Sequence, residues 1–281
     1  MNAYRLSERE IAAYAQHLRQ EEKAAGTIEK YLRDVRAFAG WLGACPVSRE
    51  AVAAWKTHRQ AQGAAPATVN SGLAALNGLF RFLGWEGCRA KFLKIQRRAF
   101  RDPGRELSRA EYGRLTATAR KQGQDQLALL METICATGIR VSELAYITVE
   151  AARAGKAEVA LKGKIRTILL PGKLGKKLLR YARTQKIASG ALFRTRSGDP
   201  LPRRQVWGML KRLSRQAGVL PSKVFPHNLR HLFATTFYQA SKDIVKLADV
   251  LGHASIETTR IYLITSGQEH QRQLERLGLV Y

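Results

Sequence analysis

The stretch from Pro226 to Tyr262 constrains this 281-residue chain more than any other. Pro226 suits the first turn of a helix, and His227 and Arg230 follow it three residues apart. Residues at that spacing share one helical face, so the imidazole and the guanidinium point the same way. His253 and Tyr262 come later in the same stretch. Brought together, these four side chains would form a phosphate-binding pocket beside a nucleophilic phenol.

The charge of the chain predicts its partner class. Lysine and arginine total 48 against 22 acidic residues, which gives a net charge of +26. Because the basic residues are spread along the whole chain, they favour a folded surface for nucleic acid, ahead of an anionic membrane surface. A hydrophobic content of 45% argues against disorder.

The cysteines and the apolar runs predict a cytoplasmic protein. Cys45, Cys88 and Cys135 are widely spaced and form no CxxC pair, which is typical of buried thiols in a reducing compartment. No apolar run approaches the roughly 20 residues of a membrane span, and the N-terminus lacks a signal-peptide pattern.

Residues 1–86 predict a bundle of four amphipathic helices. A Ser7–Glu10 capping box opens a helix that runs to about Lys23, and a second helix starts after Gly26. Ser48 caps the third helix and Pro66 opens the fourth. The polar faces carry basic residues that would contact phosphates or simply face solvent: Arg33, Arg36, Lys56 and Arg59.

Residues 87–106 predict a basic linker between two domains, because periodicity fades there while lysines and arginines crowd. Arg97 and Arg98 are candidate DNA contacts within it. A second capping box, Ser108 with Glu111, starts a C-terminal domain that covers residues 107–281.

Two elements of that domain carry further charged candidates. A buried helix stops at Gly138, and Arg140 follows with Glu143 one turn later, which on its own predicts a structural ion pair. Residues 158–161 and 165–170 read as strands of a hairpin around Lys162-Gly-Lys164. A lysine in such a turn is ordinarily a solvated charge.

The remaining helices complete the predicted core. Residues 203–216 form a helix whose inward residues are Val206, Trp207, Leu210 and Leu213. Arg203 and Arg204 on this helix are candidates for DNA backbone contact, as is Lys164 of the hairpin. Further on, the core continues through Val245, Leu247, Val250 and Leu251. His231 adjoins Arg230 and so is predicted to point elsewhere, and residues 267–281 predict a short terminal helix.

Four motifs in order resemble the tyrosine recombinase/integrase family. They are ATGIRVSEL around Arg140, LKGKIR followed by LP, HNLR at residues 227–230, and LGH with TTRIY ending at Tyr262. The resemblance covers most of residues 108–264, and the length is similar to the Xer-like layout. It implies a mainly α fold, with an N-terminal DNA-binding bundle and a mixed α/β catalytic domain. The catalytic residues that it implies are Arg140, Lys162, His227, Arg230, His253 and Tyr262.

The resemblance also implies a mechanism. Tyr262 would be the nucleophile that forms a 3′-phosphotyrosine link, while Glu143 orients Arg140. Lys162 would donate a proton to the leaving oxygen, with Lys164 as its rival. The sequence offers no acidic cluster for Mg²⁺, so cleavage is expected without a metal or another cofactor.

The implied partners are double-stranded DNA, a homotetramer assembled on it and an accessory DNA-bending protein. The C-terminal segment would dock on a neighbouring protomer or in cis. Integration, excision and dimer resolution all stay open as tasks. The alternatives are a type IB topoisomerase-like enzyme and a catalytically inactive DNA-binding regulator.

Overall fold

The computed structural model describes residues 4–95, 103–161, 164–253, 255–262, 271 and 274–277. The chain divides into two compact units, residues 1–97 and 98–281. Helices dominate both units. The described residues contain one sheet, which consists of two antiparallel strands. This architecture confirms the predicted mainly α fold class.

Four helices form the N-terminal unit: α1 Glu8–Gln20, α2 Ala25–Leu42, α3 Arg49–Ala61 and α4 Pro66–Phe82. The predicted caps are confirmed, because Ser7 and Glu10 form a capping box and the Ser48 hydroxyl accepts from the Ala51 N–H. The first helix ends three residues earlier than predicted. The predicted apolar stripes of α1 and α4 pack together, with Tyr14, Leu73, Leu76 and Phe80 almost fully buried.

Residues 89–95, within the predicted linker, pack onto the N-terminal unit. The Asn77 side chain donates to the Ala90 carbonyl at 3.0 Å and accepts from the Ala90 N–H at 3.1 Å. Asn70 pairs with Leu93 in the same way, at 2.9 and 2.8 Å. Two asparagines therefore fasten this extended segment to α4. The predicted limits of the linker stay predictions.

The C-terminal unit contains α5 Arg109–Lys121, α6 Asp125–Thr137, α7 Val149–Ala154, β1 Lys156–Leu161, β2 Lys164–Leu169 and α8 Gly172–Thr184. It continues with α9 Arg203–Gln216, α10 Pro226–Ser241, α11 Ile244–Leu251 and α12 Ile256–Arg260. The Ser108–Glu111 capping box and the αL stop at Gly138 are confirmed. In the hairpin, Val159 pairs with Arg166 and Leu161 with Lys164.

Helix α6 is the centre of this unit and positions the site. Its residues Leu127, Leu130, Met131 and Ile134 are almost fully buried, as predicted. Helix α10 packs against it, and the Cys135 thiol donates to the Leu229 carbonyl at 3.5 Å. The end of α6 and the start of α10 therefore lie side by side.

Three residues predicted to be inward are exposed. Trp207 is 43% exposed, with its ring 5.7 Å from that of Phe225 and the Lys211 ammonium 4.6 Å above it. Val245 and Val250 are 52% and 38% exposed, because the eight-residue α11 buries only one face, that of Leu247 and Leu251. The spacing of the apolar residues correctly predicted both α9 and α11 as helices, but it overestimated the width of the face that each helix buries.

Smaller differences concern element ends. The strands begin at Lys156 and Lys164, one or two residues earlier than predicted. Most of the predicted terminal helix lies outside the described residues, although Leu274 and Leu277 within it are exposed. None of the helices described has the length and apolar character to cross a membrane.

Candidate active site

Arg140 and Glu143 form the first part of the site. Arg140 lies just beyond α6 and is exposed, and it precedes a short 3₁₀ turn, Val141–Tyr146. The buried Glu143 carboxylate accepts from the Arg140 guanidinium at 3.0 Å and from its backbone N–H at 2.7 Å. The predicted ion pair is confirmed, and it leaves the rest of the Arg140 guanidinium facing solvent.

Glu143 has a second cationic partner, Arg166 on β2. The Arg166 side chain is 14% exposed, and its guanidinium donates to Glu143 at 2.5 Å. Burial acts to raise the pKa of Glu143, but the Arg140 N–H and the Arg166 guanidinium outweigh it and hold that pKa below its ordinary value. The carboxylate is therefore ionised at neutral pH and can balance one of the two arginine charges.

Arg230, from the first turns of α10, lies at the centre of the site and is 2% exposed. Its guanidinium donates to the carbonyls of Gly138 and Leu251, the latter at 2.9 Å, and it lies near enough to the Tyr262 phenol for that group to influence the pKa of Arg230. Burial, and then the charge of Arg140, lower the pKa of Arg230 to about 10. It stays charged at neutral pH in a largely desolvated pocket.

Gly138 permits the approach of Arg230 to the end of α6. Its φ of +64° is left-handed, and a Cβ there would lie 2.9 Å from a methyl of Leu251 and closer still to the Phe233 ring. A larger residue would therefore be strained and would push α10 and α11 away from α6. The glycine that stops the helix also brings the Arg230 acceptor into place.

His253 connects Arg230 to α12. Its Nε2 lies 2.9 Å from an Arg230 nitrogen and its Nδ1 lies 2.8 Å from the Thr259 hydroxyl. Arginine has no acceptor, so Nε2 must carry the lone pair and Nδ1 the proton, which it donates to Thr259. Burial, and then Arg230 and the other arginines, lower the pKa of His253 to about 4, which agrees with a neutral ring.

Tyr262 lies just beyond α12 and is 3% exposed. The His253 ring stacks on it with centroids 6.0 Å apart and an interplanar angle of 13°. His227 and His231 place their rings 6.5 and 5.0 Å from it. The Tyr262 phenol is thus surrounded by three imidazoles and lies near the buried Arg230 guanidinium.

His227 and His231 occupy different parts of this enclosure. His227 is exposed, and desolvation followed by the charges of Arg230 and Arg140 lowers its pKa, so it is mainly neutral at pH 7. The prediction that His231 points away from the site is wrong. Its ring contacts Tyr262, and its Nε2 lies 3.9 Å from Glu106, because neighbouring helical residues can both reach a ring as large as a phenol.

The structure brings together five of the six predicted catalytic residues: Arg140, His227, Arg230, His253 and Tyr262. Lys162 lies outside the described residues, and so do Arg97 and Arg98; Lys164 is described as the first residue of β2, without its side chain.

In the N-terminal unit, Arg33 and Arg36 are exposed, while Lys56 and Arg59 are half-buried. Arg203 and Arg204 are exposed in the first turn of α9, and the charge of Arg203 contributes to lowering the pKa of His227.

Sequence reasoning missed two residues of the site, Arg166 and Thr259. Thr259 is fully buried, and its position three residues before Tyr262 was the signal that could have found it. Arg166 contacts residues 23 and 84 positions away, so no local spacing reveals it. Over the ranges that the structure describes, no three His, Cys, Asp or Glu residues gather as a metal site would require.

Comparisons with known proteins agree with this geometry. Residues 105–269 match the Phage integrase family, and residues 11–87 match the Phage integrase N-terminal SAM-like domain. Tyrosine recombinase XerA of Pyrococcus furiosus is 30% identical over 280 residues, covering 96% of this chain and 94% of the relative. Tyrosine recombinase XerD of Agrobacterium fabrum is 31% identical over 279 residues, covering 85% and 84%.

A solved structure shows the same fold. A lambda integrase tetramer bound to a Holliday junction superposes with a TM-score of 0.74 at 18% identity, covering 91% of this chain and 76% of that one. The site geometry, the two matching domain models and the full-length relatives lead to one conclusion: the chain belongs to the phage integrase family, the tyrosine recombinases, which cleave and rejoin DNA strands.

Proposed function

We propose that this protein is a site-specific DNA recombinase in which Tyr262 attacks a backbone phosphorus. The observation that carries the proposal is that His253 links the buried Tyr262 to the buried Arg230, since its ring stacks on the phenol and its Nε2 lies 2.9 Å from the guanidinium, with the exposed Arg140 guanidinium in the same site. A phosphate that reached Arg140 and Arg230 would lie beside the nucleophile. Two guanidiniums in a desolvated pocket are suited to the charge that develops on a phosphorane-like transition state.

The cleavage step balances as a transesterification. The Tyr262 oxygen forms a bond to phosphorus, the bond from phosphorus to the 5′-oxygen breaks, and the DNA keeps a 3′-phosphotyrosine link. The phenol loses its proton to a neutral acceptor, and His227 is suited to this because its pKa is lowered. The leaving 5′-oxygen gains a proton from the hairpin lysine. Because the bond energy is conserved, a 5′-hydroxyl of another strand can reverse the step without a nucleotide cofactor.

The remaining groups position this chemistry. Glu143 orients Arg140 by holding both its guanidinium and its backbone N–H. His253 uses its one lone pair on Arg230, so it supports the phosphate indirectly, through the arginine. Lys162 is our candidate for the proton donor, with Lys164 as the rival, since both flank the glycine of the hairpin turn.

The proposed substrate is double-stranded DNA, bound by a homotetramer in the cytoplasm. The net charge of +26 supports a polyanionic partner, and the lambda integrase that shares the fold is a tetramer on a Holliday junction. The exposed basic residues of α2 and α9 are the proposed backbone contacts. An accessory DNA-bending protein would assist synapsis if the site requires bending.

A nicked suicide duplex built from DNA that flanks the gene tests the proposal. The nick lets the fragment beyond the cleaved bond diffuse away, which traps the covalent intermediate for a denaturing gel. Wild type should give a shifted band that Tyr262→Phe does not, whereas Tyr238→Phe, a matched phenol on α10, should keep it. A band that persists in Tyr262→Phe would refute the assignment. Relaxation of a supercoiled plasmid without that DNA sequence would favour the topoisomerase-like alternative instead.

A further inference from the structure

Arg166 is the charged group of the site to which the proposed chemistry gives no role. It lies on β2, where it pairs with Val159 of β1. Its guanidinium donates to Glu143 at 2.5 Å and to the carbonyl of Val250 at 3.3 Å. Both partners belong to segments far away in sequence, and both adjoin residues of the active site.

Each partner connects Arg166 to a different part of the site. Glu143 holds Arg140, so the β2 strand and the Arg140 turn share one carboxylate. Val250 stands near the C-terminal end of α11, where carbonyls lack partners within the helix. Arg166 donates a hydrogen bond to the Val250 carbonyl, and Arg230 donates one to the Leu251 carbonyl. Two arginines therefore cap the helix that precedes His253.

Gly252 gives independent support for this placement. It has a φ of +62°, and a Cβ there would lie 2.6 Å from Cδ of Arg166 and 2.9 Å from one of its terminal nitrogens. Gly252, between α11 and His253, therefore leaves room for the Arg166 side chain. Its left-handed backbone would also strain any larger residue.

The cost of burying Arg166 argues against a role in stability alone. Its Nε is buried, and among the residues that the structure describes none accepts a hydrogen bond from it. A buried ion pair is often no more stabilising than apolar side chains of the same volume, and an unpaired buried donor adds a penalty. Such a group is retained more readily where it fixes one particular geometry.

We propose that Arg166 is a positioning residue that holds the lysine-bearing hairpin against the Arg140 turn and the His253 segment, through its bonds to Glu143 and Val250. This inference rests on the proposed function, because it assigns the hairpin lysine the protonation of the leaving oxygen. Loss of Arg166 should then leave the phosphate clamp largely competent while the proton donor is misplaced.

A substrate whose leaving group needs no proton tests this directly. In a 5′-bridging phosphorothiolate duplex, sulfur replaces the leaving oxygen, and a thiolate departs readily because thiols are far more acidic than alcohols. The measured quantity is the cleavage rate on the sulfur substrate divided by that on the ordinary one. A ratio within one preparation does not depend on the fraction of active protein, so partial misfolding cannot produce the result.

Arg166→Met and Arg166→Lys are compared with wild type and with Arg183→Met, which removes an exposed arginine of α8. Lys162→Ala serves as the reference for a lost proton donor. We expect Arg166→Met to raise the ratio at least about tenfold, since general acid catalysis is worth about 10²–10⁴-fold. Arg166→Lys, which can reach one acceptor but not both, should raise it less, and Arg183→Met should leave it unchanged.

A wild-type ratio in Arg166→Met, whether cleavage is normal or equally reduced on both substrates, would overturn the inference. Failure of the proposed function would give a different result, because wild type itself would then form no Tyr262-dependent adduct on either substrate. The role proposed for Arg166 would be refuted in that case as well.

Discussion

Replacing Thr259 by valine removes one hydrogen bond from the site and little else. Thr259 is fully buried, and valine has nearly the same shape, so no cavity forms. The lost oxygen is the acceptor for His253 Nδ1 at 2.8 Å. The ring would then either bury an unpaired N–H or adopt the other tautomer, which would set an N–H against the Arg230 guanidinium.

The cost of either outcome can be estimated. A buried donor left without a partner costs about 1–3 kcal/mol. If that cost falls on the transition state, through a displaced Arg230, cleavage slows by about 5- to 150-fold. Thr259→Ser keeps the oxygen and loses one buried methyl, so it should lower stability by about 1 kcal/mol while cleavage stays close to the wild-type rate.

Single-turnover cleavage of the suicide duplex is the assay, with DNA binding and melting temperature measured on the same preparations. The matched control is Thr258→Val, because Thr258 is exposed on the same helix. We expect binding to be preserved in all three variants. Cleavage by Thr259→Val at the wild-type rate would contradict this role of Thr259, and so would a Thr259→Ser variant that is slowed as much as Thr259→Val.

Three further predictions follow from the same geometry. Gly138→Ala should lower the melting temperature and the cleavage rate more than Gly123→Ala. Both residues have φ near +65°, where an alanine costs about 1–2 kcal/mol, but of the two only an alanine at 138 would also press its Cβ on Phe233. Equal losses in the two variants would contradict this. Arg230→Lys should slow cleavage by about 100- to 1000-fold with DNA binding retained, because one ammonium cannot replace the fork, and a loss under tenfold would count against it. Between pH 6.5 and 5, the unfolded chain takes up a proton at His253 that the folded chain, with a pKa of about 4, does not. His253 alone should therefore contribute a loss of about 1.5 kcal/mol or less to the unfolding free energy on acidification, and the melting temperature of His253→Gln should fall less over that window than that of wild type.

The parts of the site that lie on local signals could be predicted from the sequence. Gly138 marks a helix end by its backbone freedom, and Pro226 marks a helix start. The positions of Arg140 and Arg230 therefore follow from these helix-boundary signals alone. The pair of Arg140 and Glu143 is visible as a three-residue spacing. Each of these inferences needs only the residues within one or two turns.

What could not be predicted depends on contacts between distant segments. Arg166 looks like any strand arginine until α11 and the Arg140 turn converge on it. Trp207 fits an apolar stripe by spacing, but none of the elements that the structure describes covers it, and Lys211 and Phe225 lie beside its ring at the surface instead. His231 was predicted to point away from the site because it adjoins Arg230, and its contact with the Tyr262 ring depends on a segment that follows α12.

The most direct test of the account identifies the residue that carries the DNA. The trapped complex is digested with nuclease and trypsin, and the nucleotide-bearing peptide is sequenced by mass spectrometry. Cleavage after Arg260 and Arg272 releases residues 261–272, in which Tyr262 is the only tyrosine. We expect the nucleotide on this peptide, at Tyr262. A nucleotide found on residues 231–242, which contain Tyr238, or on any other peptide would contradict it.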